Sequence, residues 1–463
     1  MEDGPLPGSW LGEFSSEAPP PFVVAGNPAV PIEAAGLDLV FEADVAHERA
    51  AGRGRLRFTL PQPGRPLLDL VSRPSRLSLD GQSLPPERLR LVLPPDENTP
   101  LRMLDEELSA GEPHELEIEY PLREATVQFG GGGVRLGLFM TDLEQRGYLE
   151  RHAPANLEFD QVPMRMEVRV SGSGHAHRLF TNGQSVQDGG DAWHVTFPEY
   201  FTSSSCYLHL TDRDLSVRSA GFAGAQQEIQ VTAYGEDAAL VGGALEDAAV
   251  FLQELEQTYG PYAHEALLIY CTGSVGGGME YAGATMTSRA ALGHELTHSW
   301  FARGVMPANG NAGWIDEAIA RWRDRGYPRA SAAPPRPPVN LAGFSPYRRH
   351  TPSESYAMGS LLLSELDLLF SPGGLRPVLA RLFGERQRRL ITTPLFQAFL
   401  EQQTGASLGP VFNRYVYGKL EGGEGHLDET GESPAELFLA AGVEPLPAPP
   451  PRGFTPAELQ SLL

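Results

Sequence analysis

The segment Ser288-Arg-Ala-Ala-Leu-Gly-His294-Glu295-Leu-Thr-His298-Ser-Trp-Phe-Ala-Arg-Gly304 constrains this chain more than any other. Leu292, Leu296 and Trp300 recur at helical spacing, and Ser288 and Gly304 suit the two ends, so the segment predicts one helix between them. On that helix His294 and His298 lie one turn apart and point the same way. Two imidazole nitrogens can then reach one zinc at about 2.0–2.1 Å. Glu295 is rotated to the side, where a carboxylate can take a proton from a metal-activated water. The competing reading is a surface helix whose two histidines are merely solvated.

A catalytic zinc needs a third protein ligand and an open position. Eighteen residues, 299–316, separate His298 from Glu317, which sits in Trp314-Ile-Asp-Glu317-Ala-Ile-Ala-Arg-Trp322. Ile315, Ala318, Ile319 and Trp322 are helix-spaced, so Glu317 rides a second helix able to face the first. Asp324 lies two turns further on the same face. It is placed to hydrogen-bond a ligating histidine and fix its tautomer.

The remainder must supply a scaffold, and 463 residues predict two or three domains. Residues 1–28 are rich in Pro, Gly and Ser and read as a loosely packed tail. From 29 to 212, short runs alternating at period two recur between turn clusters, the pattern of an antiparallel β-sandwich with no chemistry of its own. Residues 213–370 read as a mixed α/β domain. It holds an amphipathic helix over 237–259 with Val241, Leu245, Ala248, Leu252 and Leu255 on one stripe, then a buried strand Ala266–Cys271. Residues 371–463 read as a small helical segment. The fold class is therefore multidomain, β followed by α.

Charge and cysteines exclude several classes. A formal net charge of −23 argues against nucleic acid, which needs clustered Lys and Arg, and against anionic membranes. Cys206 and Cys271 form no CxxC pair, so thiolate-bound zinc is excluded and both read as core thiols. No run of eighteen apolar residues occurs, and Met-Glu-Asp-Gly-Pro is not a secretory start, so the expectation is cytoplasmic. A processed secreted form has the same appearance.

Upstream of the histidines stands Gly276-Gly277-Gly278-Met279-Glu280-Tyr281. Glycines bring backbone close to a ligand, and the following Tyr-Ala-Gly-Ala-Thr-Met predicts an exposed edge strand for an extended peptide. The Glu280 carboxylate at that point can pair with a substrate α-ammonium. The alternative is a glycine-rich turn with a surface glutamate.

With these segments the sequence resembles the M1 gluzincin aminopeptidases, the family of aminopeptidase N and leukotriene A4 hydrolase. The matching motifs are Gly277-Gly-Met-Glu-Tyr281, His294-Glu-Leu-Thr-His-Ser-Trp300 and Trp314-Ile-Asp-Glu-Ala-Ile-Ala320. The resemblance covers roughly residues 30–420 and implies a thermolysin-like α/β catalytic domain behind the sandwich. It implies that His294, His298 and Glu317 bind one zinc, that Glu295 is the general base, and that Glu280 holds the substrate amine with Gly277, Gly278 and Met279 around it. Tyr356-Ala-Met-Gly359 looks like the family's oxyanion-stabilising tyrosine element, with Met358 in place of Lys. Tyr327 and Tyr347 lie in the same region as rivals for that role. Tyr148-Leu-Glu150-Arg-His resembles the sandwich segment that brings a second acidic group, here Glu150, near the amine.

The chain departs from the family pattern in several places. Only thirteen residues, 281–293, separate Glu280 from His294, and the stretch from Glu317 to Tyr356 is also short. Ala318 stands for Gly, Ala302-Arg303 for Gly-Asn, and Tyr281 for Asn, while the large C-terminal helical bowl is mostly absent. The expected activity is removal of N-terminal amino acids from peptides by a zinc hydrolase. Its rivals are a glycyl aminopeptidase or zinc endopeptidase of the M61 kind, and a catalytically silent peptide-binding scaffold. Silent relatives usually lose the Glu or a His of the motif, and this chain retains both.

Overall fold

The computed structural model describes residues 18–97, 100–122, 127–138, 153–156, 161–273, 277–330, 337–348, 350–370 and 373–419. The period-two runs become the strands they predict. Leu37, Leu39 and Phe41 on strand Glu33–Asp44 face inward with Leu56 and Phe58 of Arg49–Thr59 and Leu116, Ile118 and Tyr120 of His114–Pro121. These strands are the middle of an eight-stranded sheet, and sheets of five and four strands complete the N-terminal region. The region is not purely antiparallel. Glu33–Asp44 pairs in parallel with Met164–Ser171, and Asn27–Pro31 with Arg65–Leu68.

The tail is shorter than residues 1–28. Phe22–Val24 pairs with Asn27–Pro31 at the edge of the five-stranded sheet, and the Phe22 ring packs edge-on against Tyr347 at 5.3 Å. Composition is a poor guide to a short edge strand that rests on the sheet beyond it and on a ring, Tyr347, far along the chain.

A second five-stranded sheet follows, in the order Ser216–Ala223, Glu228–Gly235, Ala266–Cys271, Ala284–Thr287, Gly278–Tyr281. Both of its faces are covered, which explains the continuous apolar run Ala-Leu-Leu-Ile-Tyr-Cys. Tyr234, Tyr270, Met279, Tyr281 and Met286 enter the N-terminal core. Val231, Ala233, Leu267 and Ile269 face the other way, into the helices. The edge strand differs from expectation: Gly278–Tyr281 is at the rim, while Ala284–Thr287 is internal, between it and Ala266–Cys271.

Seven helices among the described residues bear on the site: α1 (Ala238–Tyr259), α2 (Leu292–Thr297), α3 (Trp314–Asp324), α4 (Ser360–Leu366), α5 (Arg376–Arg386), α6 (Thr393–Thr404) and α7 (Gly409–Tyr415). The Asp237 carboxylate caps α1, accepting from the N–H groups of Ala239 and Leu240. α2 is shorter than the expected helix. Ser288 does not cap it, because the Thr287–Ser288 backbone is still finishing a strand, and the chain leaves the helix in tight turns after His298. The C-terminal helices are not a detached segment, since Leu379, Phe383, Phe396 and Phe412 share one core with α1, α2 and α3. No helix among the described residues is long and apolar enough to cross a membrane.

Three tryptophans fix α2 and α3 in that core. Trp300, Trp314 and Trp322 are all 0% exposed, and each indole N–H finds an acceptor, at Gly260 O, Thr393 Oγ1 and Pro328 O respectively. The turn after α2 carries backbone strain, because Ala302 is held at φ 123°, a region that favours glycine. Ala302→Gly is therefore expected to raise unfolding stability by about 1 kcal/mol, the released strain outweighing glycine's extra chain entropy. Urea denaturation of the two proteins checks this.

Candidate metal centre

α2 presents His294 and His298 on one side, and α3 brings Glu317 across from them. Glu317 Oε2 lies 3.3 Å from His294 Nε2 and 3.5 Å from His298 Nε2. Tetrahedral ligands at bond lengths of about 2.0–2.1 Å stand about 3.3 Å apart, so these three donors have the spacing of a zinc coordination shell. Gly293 packs tightly, since a Cβ there would lie 2.4 Å from the end of the Arg323 side chain and 3.1 Å from the Phe251 ring of α1.

Each donor is held from behind. Asp324 Oδ2 lies 2.7 Å from His294 Nδ1, the partnership the sequence predicts, and directs Nε2 toward Glu317. His298 Nδ1 lies 3.2 Å from the Phe301 carbonyl and 3.5 Å from Asp316 Oδ2. Asp316 is a supporting residue that sequence reading passes over, although its place directly before Glu317 at the buried start of α3 is a usable signal. Tyr356 sits in a π turn, Ser355–Gly359, that leads into α4. Its hydroxyl donates to Glu317 Oε1 at 2.5 Å, and its ring lies parallel to that of His294 at 6.1 Å. The turn is close-packed, since a Cβ on Gly359 would stand 2.8 Å from the Ala318 methyl.

Strand Gly278–Tyr281 runs along the other side, and its alternation sorts the glycine-rich box. Gly278 faces α2, where a Cβ would collide with the Glu295 side chain at 2.4–2.5 Å. Glu280 faces the same way, and its carboxylate, that of Glu295 and a His298 ring nitrogen all lie within 4.8 Å of one another. Met279 points the opposite way, 3% exposed in the N-terminal core, so its side chain cannot meet a ligand as expected. Gly277, at φ 99°, turns the chain into the strand. Glu280 is not a bare carboxylate: Arg303 Nη2 donates to its Oε1 at 2.8 Å. That pairing is invisible in sequence beyond the departure at Ala302-Arg303. The rivals of Tyr356 lie elsewhere, the Tyr347 hydroxyl donating to Pro20 O and the Tyr327 ring packing on Tyr259 and Trp322. Glu150 lies outside the described residues.

Burial and mutual charge tune these groups. Burial alone would favour neutral His294, but hydrogen bonds to Asp324 and Glu317 outweigh it and carry the imidazole up to about 10. His298 is likewise raised: burial opposes, and the charges of Glu280 and Glu317 win. Burial pushes Glu295 up to about 8 against the pull of both histidines, whereas Glu317 is held well below the carboxylate range because the same histidines overcome its burial. A metal at Nε2 of both rings must displace their protons. Zinc affinity of chelator-treated protein is therefore expected to rise by about tenfold per pH unit for each imidazole deprotonated, over the range below about pH 8. Calorimetric zinc titrations between pH 6 and 8, in buffers of different ionisation enthalpy, check both the slope and the proton release.

No protein-family model and no curated protein matches the sequence. The fold, in contrast, matches solved structures. The M1 zinc metallopeptidase of Deinococcus radiodurans aligns with a TM-score of 0.59 at 19% identity, over 92% of this chain and 97% of that one. A variant of the Deinococcus protein has been solved with a Tyr-Ser-Ala substrate. Legionella pneumophila aminopeptidase A, in complex with aspartic acid, aligns with a TM-score of 0.63 at 12% identity, over 84% of this chain and 50% of that one. Leukotriene A4 hydrolase from Saccharomyces cerevisiae aligns with a TM-score of 0.59 at 15% identity, over 82% of this chain and 66% of that one.

Proposed function

We propose that this chain, which has the fold of the M1 zinc metallopeptidases, is a zinc-dependent aminopeptidase that releases amino acids from peptides with a free N-terminus. The observation that carries the reading is the convergence of His294 Nε2, His298 Nε2 and Glu317 Oε2 at 3.3 and 3.5 Å, with Glu295 and Glu280 alongside. Two imidazoles and one carboxylate, each with a partner behind it, are a donor set that fits zinc and leaves a position open. Bound zinc supplies a Lewis acid that polarises the scissile carbonyl and acidifies water beside it.

The chain's own groups do the rest. Glu295 takes a proton from the attacking water and passes it to the leaving amine, a task for a buried carboxylate that lies beside the donor set. The Tyr356 hydroxyl, which donates to Glu317 Oε1 before substrate arrives, turns its one proton to the carbonyl oxygen as negative charge grows there. Glu280, on the rim strand, accepts the substrate α-ammonium and so places the first peptide bond, not a later one, over Glu295. Gly278–Tyr281 is the outermost strand of its sheet, the position at which an extended peptide adds its own backbone pairing. The Tyr-Ser-Ala held by the Deinococcus protein is consistent with a peptide ligand of this size.

Incubating the purified protein with tripeptides and longer peptides, with and without a chelator, tests the reading by mass spectrometry of the products. Single N-terminal residues, lost on chelation, are expected; internal fragments would replace the aminopeptidase reading with that of an endopeptidase. Glu295→Gln is expected to keep zinc while turnover falls about a hundredfold or more. Tyr356→Phe removes one hydroxyl, so kcat is expected to fall about 100- to 1000-fold with zinc content and KM little changed, as steady-state kinetics will read.

A further inference from the structure

We infer that Arg303 is a positioning residue that limits how much a substrate gains from its α-amine, because it holds the Glu280 carboxylate in a buried ion pair before substrate arrives. The inference rests on the aminopeptidase reading and specifies its substrate class. Arg303 Nη2 donates to Glu280 Oε1 at 2.8 Å, with both side chains only 6% exposed. Arg303 is itself anchored twice more: Nη1 donates to the buried Ser204 Oγ at 2.9 Å, and its backbone N–H donates to the His298 carbonyl at 2.9 Å. The guanidinium is thus tied to the N-terminal region, and the residue's backbone to the end of α2. It is not a surface side chain that a ligand can sweep aside.

The charges around it explain the pairing. The Glu280 and Glu295 carboxylates and a His298 ring nitrogen lie within 4.8 Å of one another, where water cannot screen two like charges. A guanidinium stays protonated at any working pH, so Arg303 compensates Glu280 permanently. An arriving ammonium then meets a carboxylate whose charge is already shared, next to a fixed cation of its own sign. It gains less than it would at an unpaired buried carboxylate, and a first residue without the charge loses correspondingly less. Substrates are therefore expected to include chains whose first residue lacks an α-amine, alongside ordinary free N-termini.

The test uses the zinc-loaded Glu295→Gln protein, which is expected to hold peptide without cleaving it, and two calorimetric probes. One is Phe-Ser-Ala; the other begins with 3-phenylpropanoyl in place of Phe and lacks only the amine. With Arg303 in place the two Kd values are expected within about tenfold. Arg303→Gln keeps a hydrogen-bond donor but no charge and is expected to widen the gap to about a hundredfold, and adding Glu280→Gln should close it. A merely structural arginine would move both affinities together and leave the gap alone. An unchanged gap in folded, zinc-loaded Arg303→Gln protein overturns the inference. A gap above about a hundredfold with Arg303 present overturns it without any Arg303 variant, should that variant not fold. If neither probe binds, the aminopeptidase reading falls and takes this inference with it, an outcome distinct from an altered ratio.

Discussion

Everything around the candidate centre depends on keeping one carboxylate, Glu317, buried against two imidazoles. A carboxylate that is 4% exposed is tolerable only if its oxygens are met by donors or by a cation. The two Nε2 atoms meet Oε2 and the Tyr356 hydroxyl meets Oε1. These contacts bring the π turn at Ser355–Gly359 against α3, where a Cβ on Gly359 would stand 2.8 Å from the Ala318 methyl. Three buried tryptophans then prevent the helices from relaxing apart. The β-rich N-terminal region contributes by closing the far face of the second sheet, so that its rim strand lies against α2.

The same geometry spreads charge through a chain of partners. Asp324 backs His294, the Phe301 carbonyl and Asp316 back His298, and Arg303 backs Glu280. Around this centre groups of one sign stand next to groups of the other, so each of these buried charges has an opposite neighbour. The arrangement also divides labour. His294, His298 and Glu317 are locked from behind, whereas burial pushes the Glu295 carboxyl up against the pull of both histidines.

Much of this was legible in the residues because it depends on local periodicity. The helix over 237–259, the strand Ala266–Cys271 and the facing of His294, His298 and Glu317 all follow from spacing within one element or between two neighbours. The Asp324–His294 contact was legible for the same reason, since 324 lies two turns from 317. The extent of α2 was not, because Thr287 and Ser288 answer to a strand partner and the turns after His298 to contacts beyond the segment. Nor was the rim position of Gly278–Tyr281, since strand order in a sheet is not local. Arg303 on Glu280 is a pairing across twenty-three positions, from a loop whose conformation the sequence alone does not specify. The hidden sides of the site are thus its tertiary charge pairs.

The central claim is that His294, His298 and Glu317 together hold one zinc ion. Crystals of the zinc-loaded protein, measured on both sides of the zinc absorption edge, address it directly. The account predicts a single strong anomalous peak per chain, about 2.0–2.1 Å from Nε2 of both histidines and from a Glu317 oxygen. A peak at another set of residues, or no peak between these three in protein shown to contain zinc, would contradict it.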